Sequence, residues 1–396
     1  MWRSPTLMRI ALIQDDIYLP SFGGGTKANR YLLEALARHG HECLALSRAL
    51  TRSSDGPRNT EEFSAEMKAR NTMFQEVEPN VFSYRHEGVQ VEALNFSDSD
   101  EQRDYLVRRI RAMKPDWIFV TDDKRRFMLR AATEAAPLRV ILLLQTIIQL
   151  PFGPLSVDNS PEYTELVKAA RAIIVISNFM KRYIRDYGGL DAHLLPIPVY
   201  GTGPFPDLSR FDRGFVTMIN PCALKGVSIF IGLAREFPDI EFAAVPTWGA
   251  DQNLIDRIRE LPNVRILKPD NNIEAILAQT RVLLVPSLWP ETFGYVVPEA
   301  MLRGIPVLAS DIGGLPEAKL GVDYVLPVRP GEFRTEGFFT PPQDLSPWSQ
   351  ALGELLSDEG TYRQCSQRSR QAAHDFVATV SVSRFETLMN QLAEDR

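Results

Sequence analysis

The sequence predicts an α/β protein built from two doubly wound domains, each a parallel sheet with helices on both faces. Its 396 residues are too many for one ordinary core and fit two domains of about 150–200 residues each. Short apolar runs alternate with amphipathic segments almost throughout, and the order strand, helix, strand implies a parallel sheet. A stretch rich in Pro and Gly, 193–211, interrupts this alternation, which then restarts.

The expected domain organisation follows from that interruption. We predict an N-terminal domain over 1–200, a linker over 201–212 and a C-terminal domain over 213–375, followed by a helical segment over 376–396. In doubly wound sheets, ligands bind outside the carboxyl ends of the strands. We therefore expect two Rossmann-like domains that face each other across a cleft.

The predicted elements of the N-terminal half begin with a strand, a glycine turn and a helix. Arg9–Gln14 is apolar enough for a buried strand, Phe22–Gly25 form the turn, and Lys27–His39 has apolar residues at helical spacing. The polar stretch Thr51–Asn71 predicts an exposed and mobile connection. Further strands are predicted at Cys43–Leu46, Asp116–Thr121, Val140–Leu144 and Ala172–Ile176.

The C-terminal half shows the same alternation. A helix is predicted at Gly226–Glu236, the Gly- and Pro-rich segment Arg329–Leu345 is predicted to be a loop, and helical spacing resumes from Pro347. The predicted strands are Phe215–Ile219, Glu241–Val245, Val264–Leu267, Val282–Val285 and Val307–Ala309.

The composition argues against several classes of function. An apolar fraction of 44%, a charged fraction of 24% and a net charge of −6 are those of a soluble protein without the basic surplus of nucleic-acid binders. The three cysteines are far apart and lack metal-ligand spacing, so we expect reduced thiols, a cytoplasmic location and no metal site. The start of the chain lacks the apolar run of a signal peptide, and Val140–Leu150 is too short to cross a bilayer. Peripheral membrane contact is possible but not favoured.

The strongest functional signal is the segment 285–317, VPSLWPETFGYVVPEAMLRGIPVLASDIGGLPE. A buried strand is followed by a loop with Glu291, and a helix is predicted to begin near Gly294, which puts Glu299 close to its N-terminus. Free amides at a helix start favour an anion, so two carboxylates beside them are expected to face something else, such as sugar hydroxyls. Either glutamate alone has a plainer interpretation, as an acidic residue that complements the helix dipole.

This ordered string resembles the Glu-x7-Glu signature of the retaining family 4 glycosyltransferases, which have the GT-B fold. The resemblance implies that Glu291 binds donor-sugar hydroxyls near the anomeric carbon and that Glu299 binds the ribose hydroxyls of the nucleotide. It also implies that the amides around Thr292, Phe293 and Gly294 receive the diphosphate, and that the last helix packs back on the N-terminal domain. The matching positions are Glu291, Phe293, Gly294, Glu299, Gly304–Val307, Gly313, Gly314 and Glu317.

A second match follows the first strand of the C-terminal domain, in the segment INPCALKG. Lys225–Gly226 stands where the family has Lys-Gly, but the Arg five residues before this Lys is replaced by Asn220. The resemblance implies that Lys225 holds the diphosphate and, with Glu291, forms the catalytic centre, while Asn220 supplies a hydrogen-bond donor without a charge. A lysine after a strand is on its own most often a solvated charge, so the glutamate motif carries this assignment.

A third match lies in the N-terminal domain. Gly24 and Gly25 occupy the place of the family's glycine loop, which reaches donor phosphate or acceptor, although glycines there also serve tight turning alone. In the C-terminal domain, Lys268–Ile273 lies where the family recognises the nucleobase through the main chain, which hides the identity of the base.

The acceptor side is the least defined part of the resemblance. The family often has a His after the fourth strand of the first domain, where this chain has Gln145, Thr146 and Gln149 instead. We assign these three residues and Ser177 to the acceptor side, with a plain helix N-cap as the alternative for Ser177. A basic cluster faces either an acidic ligand or, as we favour, solvent along a helix. It consists of Arg108, Arg109, Arg111, Lys124, Arg125 and Arg126.

We therefore expect a glycosyltransferase that moves a sugar from a nucleotide-diphosphate-sugar donor to a small-molecule, glycan or lipid-linked acceptor with retention of the anomeric configuration. A UDP-sugar is favoured as donor, with GDP- and dTDP-sugars as alternatives, and no further cofactor is required. No residue is an obvious covalent nucleophile, so the resemblance implies front-face displacement. Two alternatives stay open: a non-catalytic sugar-nucleotide-binding protein, suggested by Asn220 and the missing His, or another GT-B enzyme such as a sugar-nucleotide epimerase.

Overall fold

The computed structural model describes residues 7–21, 23–51, 56–121, 123–270 and 272–395, which form two compact units. The first unit contains the described residues up to Val199 and those from Val380 onward, and the second is Tyr200–Thr379. The chain therefore leaves the first unit once, completes the second, and returns to the first.

Nine strands form one sheet in the first unit. They are β1 (Arg9–Ile17), β2 (Glu42–Arg48), β3 (Phe74–Glu78), β4 (Val81–His86), β5 (Val89–Leu94), β6 (Trp117–Thr121), β7 (Val140–Leu144), β8 (Ala172–Val175) and β9 (His193–Leu194). Their order across the sheet is β3-β4-β5-β2-β1-β6-β7-β8-β9. Each neighbouring pair among β5, β2, β1, β6, β7, β8 and β9 is parallel. Strands β4 and β3 extend the sheet beyond β5 as antiparallel neighbours.

Helices cover the central strands of this sheet. Every residue of β6 and β7 is buried, as a parallel strand covered on both faces requires. In the first helix, Ala28, Leu32 and Leu36 recur at a spacing of four residues and are at most 1% exposed, so they form its packed face. The helices before the second unit are α1 (Gly24–Arg38), α2 (Thr60–Ala69), α3 (Ser99–Met113), α4 (Met128–Ala135), α5 (Pro161–Lys168) and α6 (Asn178–Gly188).

The predicted connection over Thr51–Asn71 contains a helix over Thr60–Ala69, whose residues are mostly exposed. Helix α2 occupies the second half of the stretch, and Phe63 and Met67 on it are buried. The Phe63 ring packs edge-on against Phe74 of β3, with ring centroids 5.1 Å apart. The first part of the prediction, 52–55, falls outside the described residues.

Two further differences concern the first unit. The sheet was expected to be parallel throughout, whereas β3, β4 and β5 pair antiparallel. The glycine turn is shorter than expected, because α1 already begins at Gly24, with Gly23 as its N-cap at a φ of 81°. Gly24 and Gly25 are therefore first-turn residues of a helix. Phe22, the first residue of the predicted turn, lies outside the described residues.

The second unit contains a six-stranded parallel sheet. Its strands are β10 (Phe215–Ile219), β11 (Phe242–Val245), β12 (Val264–Ile266), β13 (Thr280–Val285), β14 (Val307–Ser310) and β15 (Val325–Leu326). Their order is β12-β11-β10-β13-β14-β15, so β10 lies between β11 and β13. The register pairs Ile219 with Val245 and Met218 with Leu284, which brings the carboxyl ends of these three strands to one edge.

The predicted loop over Arg329–Leu345 contains a small antiparallel hairpin instead. Its strands are β16 (Glu332–Arg334) and β17 (Gly337–Phe339). The rings of Phe333 and Phe338 pack against Trp289, with centroids 5.0 and 6.2 Å away, so aromatic contacts support a hairpin too short to be stable alone.

The helices of the second unit are α7 (Val227–Glu236), α8 (Gln252–Arg259), α9 (Ile273–Leu277), α10 (Val296–Met301), α11 (Leu315–Ala318), α12 (Ser346–Ser357) and α13 (Glu359–Ala378). The prediction of two Rossmann-like α/β domains is confirmed by the two sheets and their helices. Within the described ranges, no helix combines the length and the apolar character needed to cross a membrane.

The last helix, α14 (Ser383–Glu394), belongs to the first unit. Phe385 and Met389 on it are at most 1% exposed. Arg171 of the first unit donates hydrogen bonds to the carbonyls of Leu392 and Asp395, at 3.2 and 3.3 Å. Both apolar burial and polar contacts therefore hold this helix on the first unit.

Candidate functional site

The most organised polar cluster of the second unit lies at the carboxyl edge of its sheet. The loop after β10 carries Asn220 and Lys225, and the loop after the neighbouring strand β13 carries Glu291. Because parallel neighbours end at the same edge, residues far apart in sequence meet there. The structure thus brings together the two residues that the sequence assigned to the catalytic centre.

Lys225 and Glu291 form an ion pair. The Lys225 ammonium Nζ donates a hydrogen bond to Oε1 of Glu291, and the hydroxyl of Ser287 donates to the same oxygen at 2.8 Å. Ser287 is itself held, because the hydroxyl of Ser310 on β14 donates to its carbonyl at 2.7 Å. The side chains of Lys225 and Glu291 are 27% and 17% exposed, so the pair is partly accessible.

Glycines let the backbones of the surrounding loops approach one another. Gly226 has a φ of 78°, and a Cβ there would lie 1.8 Å from the carbonyl oxygen of Pro286. A Cβ on Gly313 would lie 2.4 Å from the carbonyl oxygen of Glu291. The amide of Gly314 donates to that same oxygen at 2.7 Å. Side chains at these glycines would force the loops apart and move Glu291.

The residues after Glu291 form the loop that leads into α10. This helix begins at Val296, slightly later than predicted, so Phe293 and Gly294 belong to the loop before it. Phe293 is 3% exposed and packs against the rings of Tyr295 and Phe376, with centroids 5.9 and 5.7 Å apart. Phe293 is thus an anchor for the loop, and the role of the amides around it and around Thr292 stays a prediction.

Glu299 lies on α10 and is partly exposed. The guanidinium of Arg303 donates to the carbonyl of Glu299 at 2.9 Å and to Oε1 of Glu274 at 2.8 Å. Arg303 is only 6% exposed, and it ties α10 to α9. Sequence reasoning missed Arg303, although its position four residues after Glu299 on a helical pattern was a usable signal.

Asn220, the residue in the family's Arg position, is 6% exposed and has a φ of 59°. Its Oδ1 accepts a hydrogen bond from the amide of Gly249 at 2.9 Å. Its Nδ2 is buried without a hydrogen-bond partner in the described part of the chain. The carboxamide is therefore engaged with the turn after β11, and its assignment to the donor stays a prediction.

In the first unit, Gln145 is part of a buried chain of hydrogen bonds. Its Nε2 donates to Oδ1 of Asn29 on α1 at 3.0 Å, and Nδ2 of Asn29 donates to the hydroxyl of Thr121 at 3.2 Å. This chain links the ends of β6 and β7 to the helix that begins at Gly24. Gly24 and Gly25 are at the free start of that helix, and Gly24 is exposed.

Thr146 and Gln149 line a small cavity in the first unit, beside Asp123 and Tyr163. The hydroxyl of Tyr163 donates to Oδ2 of Asp123 at 2.7 Å, and the amide of Leu129 donates to the same oxygen at 2.9 Å. Burial raises the pKa of the Asp123 carboxyl, and these hydrogen bonds reduce the rise. Sequence reasoning missed Asp123 and Tyr163. The position of Asp123 just after a strand end was the available signal.

The remaining sequence candidates have structural partners. Ser177 is fully buried and its hydroxyl accepts from the amide of Met180 at 3.1 Å, which is the N-cap alternative. Each member of the basic cluster has an acidic partner, and the partners of Arg109 and Arg125 are buried. The pairs are Arg108–Glu78, Arg109–Glu92, Arg111–Glu134, Lys124–Asp16, Arg125–Asp15 and Arg126–Asp158. Across the described ranges, no group of three or more His, Cys, Asp or Glu residues is placed to hold a metal ion.

Comparison with known proteins identifies the segment that contains the Lys225–Glu291 pair. Residues 223–372 match the model of the family Glycosyl transferases group 1. Over 302 residues the chain is 25% identical to an exopolysaccharide phosphotransferase of Streptomyces coelicolor. The aligned segment covers 74% of this chain and 30% of that protein. Over 245 residues the chain is 26% identical to N-acetyl-alpha-D-glucosaminyl L-malate synthase of Bacillus anthracis. This aligned segment covers 59% of this chain and 58% of that protein. The chain thus spans less than two thirds of the length of either relative.

The fold is also found among solved structures. HepE of Anabaena, in complex with UDP-glucose, aligns with a TM-score of 0.65 at 17% identity, over 98% of this chain and 100% of that chain. At this identity the likeness concerns the fold. The family match covers Lys225, Glu291 and Glu299. Residues 223–372 therefore resemble the Glycosyl transferases group 1 family, and the protein has the GT-B fold.

Proposed function

We propose that this protein is a retaining glycosyltransferase that moves a sugar from a nucleotide diphosphate sugar to an acceptor hydroxyl. The observation that carries the proposal is the contact of Lys225 Nζ with Glu291 Oε1 at the carboxyl edge of the second sheet, inside the family match. A cation beside a carboxylate suits the two halves of such a donor, an anionic diphosphate and a sugar rich in hydroxyls. HepE, whose fold this chain shares, was solved with UDP-glucose, which supports a UDP-sugar as donor.

Lys225 is proposed to stabilise the diphosphate as it leaves the sugar. When the bond between the anomeric carbon and the phosphate oxygen breaks, its electron pair stays on the phosphate, and a fixed cation nearby lowers the barrier. An ammonium has three N–H donors, so Lys225 can keep its contact with Glu291 while it donates to a phosphate oxygen. Asn220 adds no charge, which leaves Lys225 as the principal cation of this motif.

The two glutamates are proposed to recognise the donor's hydroxyl groups. A carboxylate accepts hydrogen bonds from two adjacent hydroxyls, and Glu291 is held in place by Lys225 and Ser287. Glu299 is proposed to accept from the ribose hydroxyls, with α10 held by the Arg303–Glu274 pair. The loop amides of Thr292, Phe293 and Gly294 are proposed to donate to the diphosphate.

The acceptor is proposed to attack from the face that the diphosphate leaves, which retains the anomeric configuration. The acceptor oxygen forms a bond to the anomeric carbon while its proton passes to the departing phosphate oxygen, so no covalent enzyme intermediate is needed. Gln145 and Ser177 already have buried partners. Thr146 and Gln149, which line the cavity beside Asp123, are the better candidates for acceptor contacts. Gly24 and Gly25 are proposed to contact the donor phosphates.

The decisive experiment measures donor binding and donor turnover separately. Thermal shifts with UDP, GDP, ADP and dTDP identify the nucleotide, because a ligand at 100 times its Kd stabilises the fold by about 2.7 kcal/mol. The matching nucleotide sugar is then incubated alone, and the slow release of free sugar is followed by NMR, which also reports the anomer formed first. We expect the retained anomer. Release of the inverted anomer, or no stabilisation by any of the four nucleotides, contradicts the proposal.

A second candidate function is supported by Asn220. Because its carboxamide is engaged with Gly249, the second cation of the family's phosphate site is replaced by a structural contact. This favours, as the alternative, a sugar-nucleotide-binding protein without turnover. The same assay separates the two: saturable binding of the nucleotide sugar with no release of sugar, with or without an acceptor pool, supports the binding protein.

A further inference from the structure

Trp248 stands out among the tryptophans of the second unit because it is exposed. It lies in the turn after β11 and is 52% exposed, whereas Trp348 is fully buried. An exposed indole offers a flat apolar face with one N–H donor. The position of this turn decides what the face can contact.

The turn that carries Trp248 is fixed by Asn220. The amide of Gly249 donates to Oδ1 of Asn220 at 2.9 Å, and the amide of Ala250 donates to the carbonyl of Thr247 at 3.1 Å. A Cβ on Gly249 would lie 2.8 Å from Sγ of Cys222, so the turn sits tightly against the loop after β10. The backbone of the turn that carries Trp248 is therefore held by a polar contact on the neighbouring residue.

This turn belongs to the same sheet edge as the Lys225–Glu291 pair. Strand β11 lies between β10, whose loop carries Lys225, and β12. The register places Ile219 beside Val245, so the chain leaves both strands at one level. A ligand whose phosphates contact Lys225 and which extends along this edge towards β12 passes the turn after β11.

We propose that Trp248 stacks on the nucleobase of the donor and that Asn220 is a positioning residue that holds Trp248 for this contact. This inference rests on the proposed function, because it takes the ligand of this edge to be a nucleotide diphosphate sugar. A nucleobase is planar and aromatic, and stacking tolerates any base because every base has a π-face. The position that holds a phosphate-binding arginine in the family then holds Asn220, which orients the residue that contacts the base of the donor.

The test compares ligands with and without a base. We expect Trp248→Ala to weaken the tightest of UDP, GDP and ADP at least about tenfold, equivalent to about 1.4 kcal/mol, while the affinity for inorganic pyrophosphate stays unchanged. Trp248→Phe should lose less, because it keeps an aromatic face. Tyr187→Ala, which removes an aromatic residue 53% exposed in the first unit, is the matched control and should bind both ligands like wild type. Calorimetry gives the affinities.

Asn220 is tested by the same pair of ligands. Asn220→Gly tolerates the positive φ but removes the hydrogen bond to Gly249. It should therefore lower the affinity for the nucleoside diphosphate and leave the affinity for pyrophosphate unchanged. Nucleotide binding should also quench the Trp248 emission, defined as the difference between wild type and Trp248→Phe, and this quenching should fall in Asn220→Gly. A purely structural role would weaken both ligands equally.

Several outcomes overturn the inference. Unchanged nucleotide affinity in Trp248→Ala, an equal loss for nucleotide and pyrophosphate, or a loss confined to the sugar-bearing donor each contradicts base stacking. If wild type binds neither the nucleotides nor pyrophosphate, the proposed function fails instead.

Discussion

Oε1 of Glu386, on the last helix, lies 2.9 Å from Nε2 of His41, 345 residues earlier in the chain. Nδ1 of His41 accepts a hydrogen bond from the amide of Met8 at 3.1 Å, so the proton of a neutral imidazole is on Nε2 and is donated to Glu386. Nδ1 of His39 lies 3.0 Å from the same carboxylate oxygen. One carboxylate therefore joins α14 to the turn between α1 and β2.

This contact predicts a pH dependence. Burial by itself raises the pKa of the Glu386 carboxyl, but the hydrogen bonds from His41 and His39 outweigh burial and leave the pKa below its ordinary value of 4.5. The stabilisation is therefore fully present above about pH 4.5 and is lost as the pH falls through the lowered pKa of the folded state. Glu386→Gln should lower the free energy of unfolding at pH 7 by about 1.5–3 kcal/mol, the range for hydrogen bonds to a charged group.

Urea unfolding between pH 7 and pH 3 checks this prediction, because the difference between wild type and Glu386→Gln should shrink at the acid end. Glu394→Gln, at an exposed position of the same helix, is the control and should follow wild type. A difference that does not depend on pH would show that the Glu386 charge is not involved.

Truncation tests the role of the whole helix. Deleting the residues after Val380 removes Phe385 and Met389 from the first unit, and burial of one such side chain contributes about 1.5–3 kcal/mol. We expect the melting temperature of the first unit to fall, or its thermal transition to disappear, while the second unit keeps its own transition. Scanning calorimetry of the truncated chain, with Gln391→Ala on the exposed face as control, gives the answer. An unchanged melting profile would show that α14 contributes nothing to the first unit.

Lys225 carries the electrostatic part of the proposed mechanism. Lys225→Ala should lower kcat/KM at least about a hundredfold, about 2.7 kcal/mol of transition-state stabilisation. Lys225→Arg should recover only part of it, because a planar fork does not replace a point charge at fixed reach. Steady-state kinetics with the identified donor measures both, and Lys181→Ala, an exposed lysine of the first unit, serves as control. Near wild-type turnover in Lys225→Ala would exclude this lysine as the diphosphate cation.

Glu299 is expected to determine nucleotide affinity. If its carboxylate accepts from both ribose hydroxyls, Glu299→Ala should cost about 1.5–3 kcal/mol of binding free energy. Wild type should bind the 2′-deoxy nucleotide more weakly than the ribonucleotide. The Glu299→Ala variant should bind the 2′-deoxy nucleotide no more weakly than the ribonucleotide. Calorimetry with both nucleotides tests this, with Glu260→Ala at an exposed position as control. Equal affinities in wild type and variant would remove the assignment.

Restoring the family's arginine at position 220 is expected to weaken the protein. Asn220 is 6% exposed, its φ is 59°, and Oδ1 is bonded to Gly249. A longer side chain without an acceptor loses this contact and tolerates the left-handed backbone less well. Asn220→Arg should therefore lower both Tm and nucleotide affinity. A variant that binds the donor more tightly would instead mark Asn220 as a degraded phosphate-binding position.

Much of the fold could be predicted from local sequence patterns. Val140–Leu144 and Phe215–Ile219 are strands with the predicted bounds, because a continuous apolar run between polar residues is a strong local signal. The meeting of Lys225 and Glu291 was also predictable, since both follow strands of one parallel sheet. The two strands share one property: the signal lies within a few residues of the position predicted.

The failures depend on contacts that are distant in sequence. Helix α2 has only Phe63 and Met67 as buried residues, and its stability comes from rings on β3 and β4 that no local pattern shows. The contact of Asn220 with Gly249, 29 residues later, has no local signal either, and the assignment of Asn220 to the donor stays a prediction. A carboxamide can satisfy a ligand or a backbone equally well, and only the folded neighbourhood decides between them.

The discontinuity of the first unit has a consequence for synthesis. Translation proceeds from the N-terminus, and domains tend to fold as their residues emerge. The second unit is one uninterrupted stretch, so all of its strands leave the ribosome before Phe385 and Glu386 do. The earlier-made unit must therefore wait on the nascent chain, with the surface that will receive α14 uncovered, until α14 has emerged. A stalled or prematurely stopped ribosome would thus yield a finished second unit attached to an unfinished first one.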